Sequence, residues 1–303
     1  INTILEMAEY KKQKCKYLIV MGCLVERYKK ELEKAIPEVD LYIKYSEYNK
    51  LWQKINSLLN NQKSEEENFD ELSDRVVTTG NNYAYLKIAD GCSNYCTYCA
   101  IPGIRGPLKS RKVESILEEA NWLAQNGYKE LILTAQDTTK YGIDNYGKPM
   151  LANLLDEICK IEKIKWIRFL YAYPETITDE LINTIKKHPK ICPYFDIPIQ
   201  HISDTVLKRM NRHSNSKSIK DLIIKIRKEL PNAILRTTVM VGFPGETNEE
   251  FQELYEFIKE AKFDKLGAFM YSKEEGTPAE KMEKQVHWKT KKSRYNKIME
   301  VQQ

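Results

Sequence analysis

The chain has 303 residues, of which 42% are hydrophobic and 30% are charged, so it can bury cores for two domains of ordinary size. This composition excludes an intrinsically disordered chain. The longest uninterrupted apolar run, residues 17–25, has nine residues, whereas a membrane-spanning helix needs about 20. The net charge of +5 includes no block of five or more Lys or Arg and does not by itself indicate a nucleic-acid binder.

The seven cysteines are more informative than the charge. The first residues contain neither a basic region nor a long apolar region, which predicts a cytoplasmic chain. In a reducing compartment, cysteines are more often metal ligands, catalytic groups or buried apolar residues than disulfides. Cys92, Cys96 and Cys99 fall within eight positions, and the other four are scattered. The three clustered cysteines are therefore the strongest candidate site.

A polar stretch that begins at residue 60 and carries a run of acidic residues separates two α/β segments. In the first segment, residues 17–21 predict a buried strand that ends at Gly22 and Cys23, and residues 51–59 predict an amphipathic helix. We expect four parts: an α/β domain over 1–62, a linker over 63–82, a barrel over 83–285 and a helix over 286–303.

In the second segment, short apolar runs alternate with amphipathic helical patterns, the first of which ends at Gly127. Strands joined by crossover helices form a parallel sheet. Six such units predict a partial (β/α)6 barrel, with the working residues at the carboxyl ends of its strands. The predicted strands lie near residues 83–89, 130–134, 165–172, 194–199, 233–241 and 265–271.

The cysteine spacing, C-x3-C-x2-C on the loop after the first barrel strand, favours a cubane iron–sulfur cluster. Each thiolate then binds one iron, and the fourth iron stays open to a substrate or cofactor. The alternative is a structural zinc site, which usually has four ligands. Its fourth donor would be Cys159, Cys192 or His201. Spacing alone does not exclude a zinc site, because His201 is also predicted at the rim formed by the carboxyl ends of the barrel strands.

The cysteine loop, with the aromatic Tyr98 before its third cysteine, resembles the signature of the radical S-adenosylmethionine enzymes. In that superfamily a 4Fe-4S cluster binds the amino and carboxylate groups of S-adenosylmethionine. Reduction cleaves the cofactor into methionine and a 5′-deoxyadenosyl radical, which abstracts hydrogen from an unreactive C–H bond. The resemblance assigns Cys92, Cys96 and Cys99 to the cluster and Tyr98 to the cofactor site.

Nearly the whole chain resembles the methylthiotransferases of this superfamily, which insert sulfur and a methyl group at a C–H bond. The segments that carry this resemblance are residues 89–106, 235–238 and 241–247. Those that resemble the RimO type are residues 135–142, 198–201 and 271–278. RimO enzymes modify the β-carbon of an aspartate in the twelfth protein of the small ribosomal subunit.

Two alternative functions stand beside this one. The first is the tRNA-modifying MiaB type, which would show Gln-Asn at residues 136–137 and Ser at position 201, where this chain has Gln136, Asp137 and His201. The second, from another class, is a zinc-stabilised binding module. The resemblance favours the ribosomal protein as substrate, and no direct requirement for nucleic acid is expected.

The resemblance also implies roles for polar residues at the predicted rim. Arg236 would bind the cofactor carboxylate, and its alternative is an internal ion pair with Asp196. The glycine-rich turn at residues 242–246 would approach adenine and ribose through its backbone. Its alternative is a tight turn before a helix whose N-cap is near Thr247. Asp137 and His201 are assigned to substrate and catalysis, with a structural role as the alternative for His201. The cofactor-binding candidates are Tyr98, Gln136, Gln200, Arg236, Gly242, Gly245 and Glu246.

Cys23 matches the third of three cysteines that hold a second 4Fe-4S cluster in the family's N-terminal domain, a cluster thought to deliver the sulfur. Its alternative is a buried apolar filler. The other two ligands are expected before residue 1, and a β-barrel substrate-binding module is expected after residue 303, so the chain resembles a protein truncated at both ends. The implied partners are the ribosomal protein, a sulfur donor and a reducing protein such as flavodoxin or ferredoxin.

Overall fold

A computed structural model of the chain describes residues 1–59 and 75–303, which form two compact units. Unit 1 comprises Ile1–Val76 and Gly103–Gly106, and unit 2 comprises Val77–Pro102 and Pro107–Gln303. Residues 63–74 of the predicted linker lie outside the described residues, and residues 75–82 contain no helix or strand. The domain boundaries therefore stay a prediction.

Unit 1 is built on two parallel strands, β1 (Ile19–Gly22) and β2 (Leu41–Lys44). Its core forms where Val25 and Leu32 of one helix pack with Tyr42 of β2. The strand predicted over 17–21 begins two residues later, and it is half-buried because β2 is its single partner in the described part of the chain. The helices of unit 1 are α1 (Asn2–Glu9), α2 (Cys23–Ala35) and α3 (Leu51–Leu58).

Unit 2 contains the six predicted barrel strands, with ends that differ by a few residues from those predicted. The first predicted strand is interrupted at Ile88, and the third ends early because Tyr171 has a positive φ of 60°. The six strands are β3 (Tyr83–Lys87), β6 (Glu130–Thr134), β7 (Trp166–Phe169), β8 (Tyr194–Gln200), β9 (Ile234–Val241) and β10 (Lys265–Met270). Two short antiparallel strands, β4 (Ala89–Asp90) and β5 (Lys109–Ser110), flank the cysteine loop.

All strand pairs among these six are parallel. They form two sheets of three strands, with orders β3-β6-β7 and β8-β9-β10. Backbone hydrogen bonds join the two sheets, because Cys192 N–H donates to the Ile167 carbonyl at 2.9 Å and Ala172 N–H donates to the Asp196 carbonyl at 2.8 Å. The strands therefore follow one another in chain order, and the predicted partial (β/α)6 barrel is confirmed.

Helices cover the outer face of these strands. Alternate residues such as Leu131 and Leu133 of β6 are fully buried and pack with helical residues such as Ile116 and Leu123. The short helix α4 (Ile101–Arg105) begins in unit 2 and ends in unit 1. The other helices of unit 2 are α5 (Val113–Gln125), α6 (Ile143–Tyr146), α7 (Leu151–Cys159), α8 (Asp179–Lys187), α9 (Asp204–Arg209), α10 (Ser216–Glu229), α11 (Asn248–Ala261) and α12 (Trp288–Gln302). None of the helices in residues 1–59 and 75–303 has the length and apolar character to cross a membrane.

A buried ion pair ties α12 to the turn after β9. Arg294 Nη1 donates to Glu246 Oε1 at 3.0 Å, and the two side chains are only 7% and 0% exposed. The same guanidinium donates to Asn248 Oδ1 at 2.9 Å. Thr247 caps α11 as predicted, since its hydroxyl accepts from Glu250 N–H at 3.2 Å.

We expect Arg294→Met to destabilise unit 2, because it leaves the Glu246 carboxylate buried without its cation. Breaking a buried pair from one side costs about 3–5 kcal/mol. Lys186→Met is the matched control, since it removes an exposed pair with Glu229, which contributes about 0–1 kcal/mol. Urea unfolding and hydrogen exchange within Trp288–Gln302 measure the difference. Equal stability of the two variants would contradict the expectation.

Candidate active site

The three clustered cysteines lie on a loop at the carboxyl-end rim of the barrel, between β4 and α4. Cys92 and Cys96 are 8% and 4% exposed, and Cys99 is half-buried. The loop turns through Gly91 and Tyr95, which have positive φ values of 66° and 49°. Such a loop has no regular backbone hydrogen bonds of a helix or sheet, so its polar backbone groups need partners in other segments.

The end of α9 supplies those partners. Thr97 N–H donates to the Met210 carbonyl at 3.1 Å, and the Thr97 hydroxyl donates to the Arg209 carbonyl at 2.9 Å. Asn211, in the left-handed conformation at φ 56°, donates from Nδ2 to the Tyr95 carbonyl at 3.0 Å. On another side, Ala279 N–H donates to the Thr97 carbonyl at 2.9 Å. The loop is therefore fixed by two segments distant in sequence.

Asp137, a predicted catalytic residue, fixes the loop from the β6 side. Its Oδ2 accepts from Asn94 Nδ2 at 3.0 Å, and its Oδ1 accepts from the Thr139 hydroxyl at 2.6 Å. Asp137 is 2% exposed. Burial raises the pKa of Asp137, while the bonds from Thr139 and Asn94 oppose that rise. Lys140 Nζ donates to Asn94 Oδ1, so a connected polar group links β6 to the cysteine loop.

Gln136 and Gln200 both lie at the same rim, as predicted for cofactor contacts. Gln136 is half-buried, and its Oε1 is buried with no hydrogen-bond partner among the described residues. Gln200 follows an irregularity in the pairing of β8 with β9 and has a φ of 67°. A non-glycine residue in this conformation is uncommon and is enriched at functional sites.

Tyr98 and the glycine-rich turn 242–246 come together around one apolar cluster. The Tyr98 ring packs edge-on against Phe243, with centroids 6.4 Å apart. Gly242 has a φ of 72°, and a Cβ there would lie 2.3 Å from Lys291 Cγ, so the turn requires glycine. Gly245 also has a positive φ, of 77°.

The carboxylate of Glu246 holds this turn. Glu246 Oε2 accepts from the N–H groups of Gly242 and Phe243, the latter at 3.0 Å. Burial raises the pKa of Glu246 to about 7, while Arg294 and the two N–H donors oppose the rise. Since both carboxylate oxygens have partners within the protein, the surface that the turn offers to a ligand is its backbone.

Arg236 lies on the half-buried face of β9 with Thr238 and Met240, as the alternation predicted. Its Nη1 donates to Asp196 Oδ1 at 2.6 Å, which is the ion pair that sequence analysis held as the alternative. Asp196 is almost fully buried, but the Arg236 side chain is 38% exposed. Its cofactor role stays a prediction.

His201 is fully buried behind the rim. Its Nδ1 accepts from Ser203 N–H at 3.1 Å, and its Nε2 has no hydrogen-bond partner in the described part of the chain. Burial lowers the pKa of His201 to about 3, and Arg209 contributes to the drop. The imidazole is therefore neutral at physiological pH.

Burial raises the pKa of the Cys92 and Cys99 thiols, and the nearby Cys96 adds to both shifts. Within residues 1–59 and 75–303, no three His, Cys, Asp or Glu side chains are arranged around a single metal ion. Neither Cys159 in the α7 core nor Cys192 near the amino end of β8 is therefore placed as a fourth zinc ligand. A cubane cluster does not require its three cysteine ligands to converge on a single metal ion, because each thiolate binds a different iron.

Sequence analysis missed the residues behind the loop. Tyr173 OH lies 3.5 Å from Cys96 Sγ, and the Arg212 guanidinium lies 4.0 Å above the Tyr173 ring. Asn94 and Asn211 were also missed. No spacing pattern identifies these four residues, since each acts through a partner from another segment. Tyr173, which follows the third barrel strand, is the one of the four whose place in the sequence is typical of a rim residue.

Cys23 is described within unit 1. It is the first residue of α2 rather than the end of a buried strand, because Gly22, with a φ of 118°, turns the chain into the helix. The thiol is half-buried and accepts from Arg105 Nη2 at 3.5 Å. Its assignment as a cluster ligand stays a prediction.

The rim residues suit a thiolate-bound cluster and a polar cofactor. Two of the three thiols are buried in one loop, which suits soft metal ions and limits access of water. The unpartnered Gln136 Oε1 and the exposed part of Arg236 supply an acceptor and a donor at the same rim. These are the groups that an amino acid-like cofactor needs.

Comparison with known proteins agrees with this description. The model of the radical SAM superfamily matches residues 86–258. The chain is 63% identical over 303 residues to ribosomal protein uS12 methylthiotransferase RimO of Alkaliphilus oremlandii, covering 100% of this chain and 69% of that protein. It is 54% identical to the protein of the same name from Caldicellulosiruptor saccharolyticus, with 100% and 70% covered.

Two solved structures share the fold at low identity. The radical S-adenosylmethionine methyltransferase TsrM of Kitasatospora setae has a TM-score of 0.68 at 12% identity, over 91% of this chain and 60% of that one. The cobalamin-dependent radical enzyme OxsB has a TM-score of 0.62 at 14% identity, over 99% and 45%. With the fold, the superfamily match and 63% identity to a curated relative in agreement, the chain belongs to the RimO family of radical S-adenosylmethionine methylthiotransferases.

Proposed function

We propose that this chain carries the radical centre of a cytoplasmic enzyme that adds a methylthio group to an aspartate β-carbon of ribosomal protein uS12. The observation that supports it is a loop of three cysteines fixed at the carboxyl-end rim of a parallel barrel. Relatives that are 53–63% identical carry the name of this activity.

Each cofactor has a defined set of candidate residues. Cys92, Cys96 and Cys99 would hold a 4Fe-4S cluster. When bound, the cluster and S-adenosylmethionine supply the one-electron chemistry that activates a C–H bond. The candidates for S-adenosylmethionine are Tyr98, Gln136, Gln200, Arg236, Gly242, Gly245 and Glu246.

The chain's own residues would bind and orient the cofactor. Gln136 Oε1 accepts a hydrogen bond from its amino or hydroxyl groups. Arg236 keeps donors available beside its bond to Asp196 and reaches a carboxylate. The backbone of the turn 242–246 contacts adenine and ribose, and Glu246 holds that backbone in place.

Asp137 and His201 were assigned to catalysis, and the contacts of both suggest a more structural action. Asp137 acts through Asn94, which it holds in the cysteine loop. His201 is buried and its imidazole is neutral, so it carries no imidazolium proton for general-acid catalysis at neutral pH. A catalytic role for either residue stays a prediction.

The remaining parts of the proposal concern the intact protein. A second 4Fe-4S cluster would include Cys23 and provide the sulfur site. A sulfur donor and a reducing protein such as flavodoxin or ferredoxin would complete the reaction. The assignment of residues 1–62, 63–82, 83–285 and 286–303 to successive parts of the enzyme belongs to the same proposal.

We expect Cys92→Ser, Cys96→Ser and Cys99→Ser each to lose the barrel cluster after anaerobic reconstitution, because three thiolates share one cubane. Cys192→Ser is the control and keeps it, since Cys192 lies near the amino end of β8. Iron and sulfide content and visible absorption measure the outcome. A colourless parent protein that binds zinc alone would instead support the zinc-stabilised module.

Mass spectrometry of the products distinguishes the two methylthiotransferase substrates. The intact enzyme is incubated with S-adenosylmethionine, a reductant and sulfide as the sulfur source, with uS12 in one reaction and tRNA in another. We expect uS12 to gain one methylthio group in place of one hydrogen at an aspartate, and tRNA to stay unchanged. A mass gain in tRNA with unmodified uS12 would assign the chain to tRNA modification.

His201→Gln should reduce the loss of stability in acid. Between pH 6.5 and about 3 the unfolded state binds a proton that buried His201 excludes, so stability rises with pH across this window. The slope is up to about 1.4 kcal/mol per pH unit. Urea unfolding from pH 4 to 7 tests this, and an unchanged slope in His201→Gln would contradict it.

A further inference from the structure

Arg212 is a buried cation directly behind the cysteine loop. It comes directly after Asn211, whose side chain holds the loop at Tyr95, and the Arg212 side chain is 1% exposed. Its Nη2 donates to the Pro198 carbonyl at 3.0 Å. Its Nε and Nη1 have no hydrogen-bond partner among the described residues. A guanidinium in this position is expected to be fully paired.

The charge of Arg212 is only partly balanced. Glu175 Oε1 is 3.8 Å from Arg212 Nε, beyond hydrogen-bond distance, and it accepts from Ser214 N–H at 3.0 Å. The buried pair of Arg294 and Glu246 shows the contrast, with a direct bond of 3.0 Å. Burial raises the pKa of Glu175, but Arg212 and the bonds from Ser214 outweigh this effect, so the net shift is downward.

The partly balanced charge is linked to a candidate cluster ligand through one side chain. The Arg212 Cζ atom lies 4.0 Å from the centroid of Tyr173, and Tyr173 OH lies 3.5 Å from Cys96 Sγ. The Tyr173 side chain therefore contacts both groups, with its ring face on the cation and its hydroxyl on the thiol. Electrostatic interactions are strong at such a site because it is largely shielded from water.

We propose that Arg212 is a positioning residue that holds Tyr173 against Cys96 and raises the reduction potential of the cluster bound there. This inference rests on the proposed function, since it requires the cluster. A thiolate-bound cluster has net negative charge and becomes more negative when it takes one electron from a low-potential reductant. No bond forms or breaks in that step. A buried cation favours the reduced form, and hydrogen bonds to the sulfur act in the same direction.

Two substitutions with opposite expected effects test the proposal. Arg212→Met removes the cation, and Glu175→Gln removes the nearby negative charge while keeping the acceptor for Ser214. The reconstituted proteins are titrated with dithionite and redox mediators, and electron paramagnetic resonance measures the reduced cluster. At the parent's midpoint potential, we expect the ratio of reduced to oxidised cluster to be about tenfold lower in Arg212→Met, which corresponds to 59 mV for one electron. Glu175→Gln should contain more reduced cluster than the parent.

A matched control and a conservative variant separate electrostatics from damage. Arg168→Met removes another arginine stacked on a tyrosine, Tyr194, with the cation 5.1 Å from the ring and away from the cysteine loop. It should leave the midpoint unchanged. Arg212→Lys keeps the charge and should lie closer to the parent than Arg212→Met. Iron content and urea unfolding identify variants that lose the cluster or the fold.

Each outcome has a distinct meaning. Unchanged midpoints in both Arg212→Met and Glu175→Gln, with full iron content, would overturn the inference and leave the proposed function standing. An equal shift in Arg168→Met would also overturn it. If Arg212→Met does not fold, the sign of the shift in Glu175→Gln decides. A parent protein that takes up no cluster would overturn the proposed function itself.

Discussion

The conformation of the cysteine loop depends on hydrogen bonds that the loop cannot make with itself. Thr97 and the backbone around Tyr95 are paired with the end of α9, 112–117 residues later in the chain. A loop without these partners would leave polar backbone groups unsatisfied and would adopt many conformations. The placement of the three thiols is therefore a property of the folded barrel rather than of the local sequence.

The rim is held from two directions. On the β6 side, Asp137 binds Asn94 of the loop, and on the α12 side, Arg294 binds Glu246 of the glycine-rich turn. Both contacts are buried, where a hydrogen bond to a charged group contributes more than one at the surface. The cysteine loop and the turn meet where Tyr98 packs on Phe243. The candidate cluster and cofactor residues thus share one rigid support.

Most of the barrel follows from apolar periodicity, since β6 and α5 bury the residues that the pattern places inward. The cysteine spacing also predicted the main candidate site. Side-chain partners were harder to predict from the sequence. Arg236 had two chemically reasonable partners, the cofactor carboxylate and Asp196, and a sequence gives no distance to either. No sequence pattern pointed to Arg212. Its environment arises from Tyr173 and Glu175, which belong to another strand connection.

The buried charges of unit 2 differ in how well they are balanced. Arg294 and Glu246 satisfy each other directly, which suits a contact whose effect is to hold a turn in place. Arg212 lacks such a match, and unpaired buried donors reduce stability. Structures retain such unfavourable features mainly where function requires them. A carboxylate in direct contact with Arg212 would increase stability, but it would also neutralise the cation that we propose acts on the cluster. The imperfect pair with Glu175 therefore fits a site that must attract an electron, since the remaining charge acts on the loop.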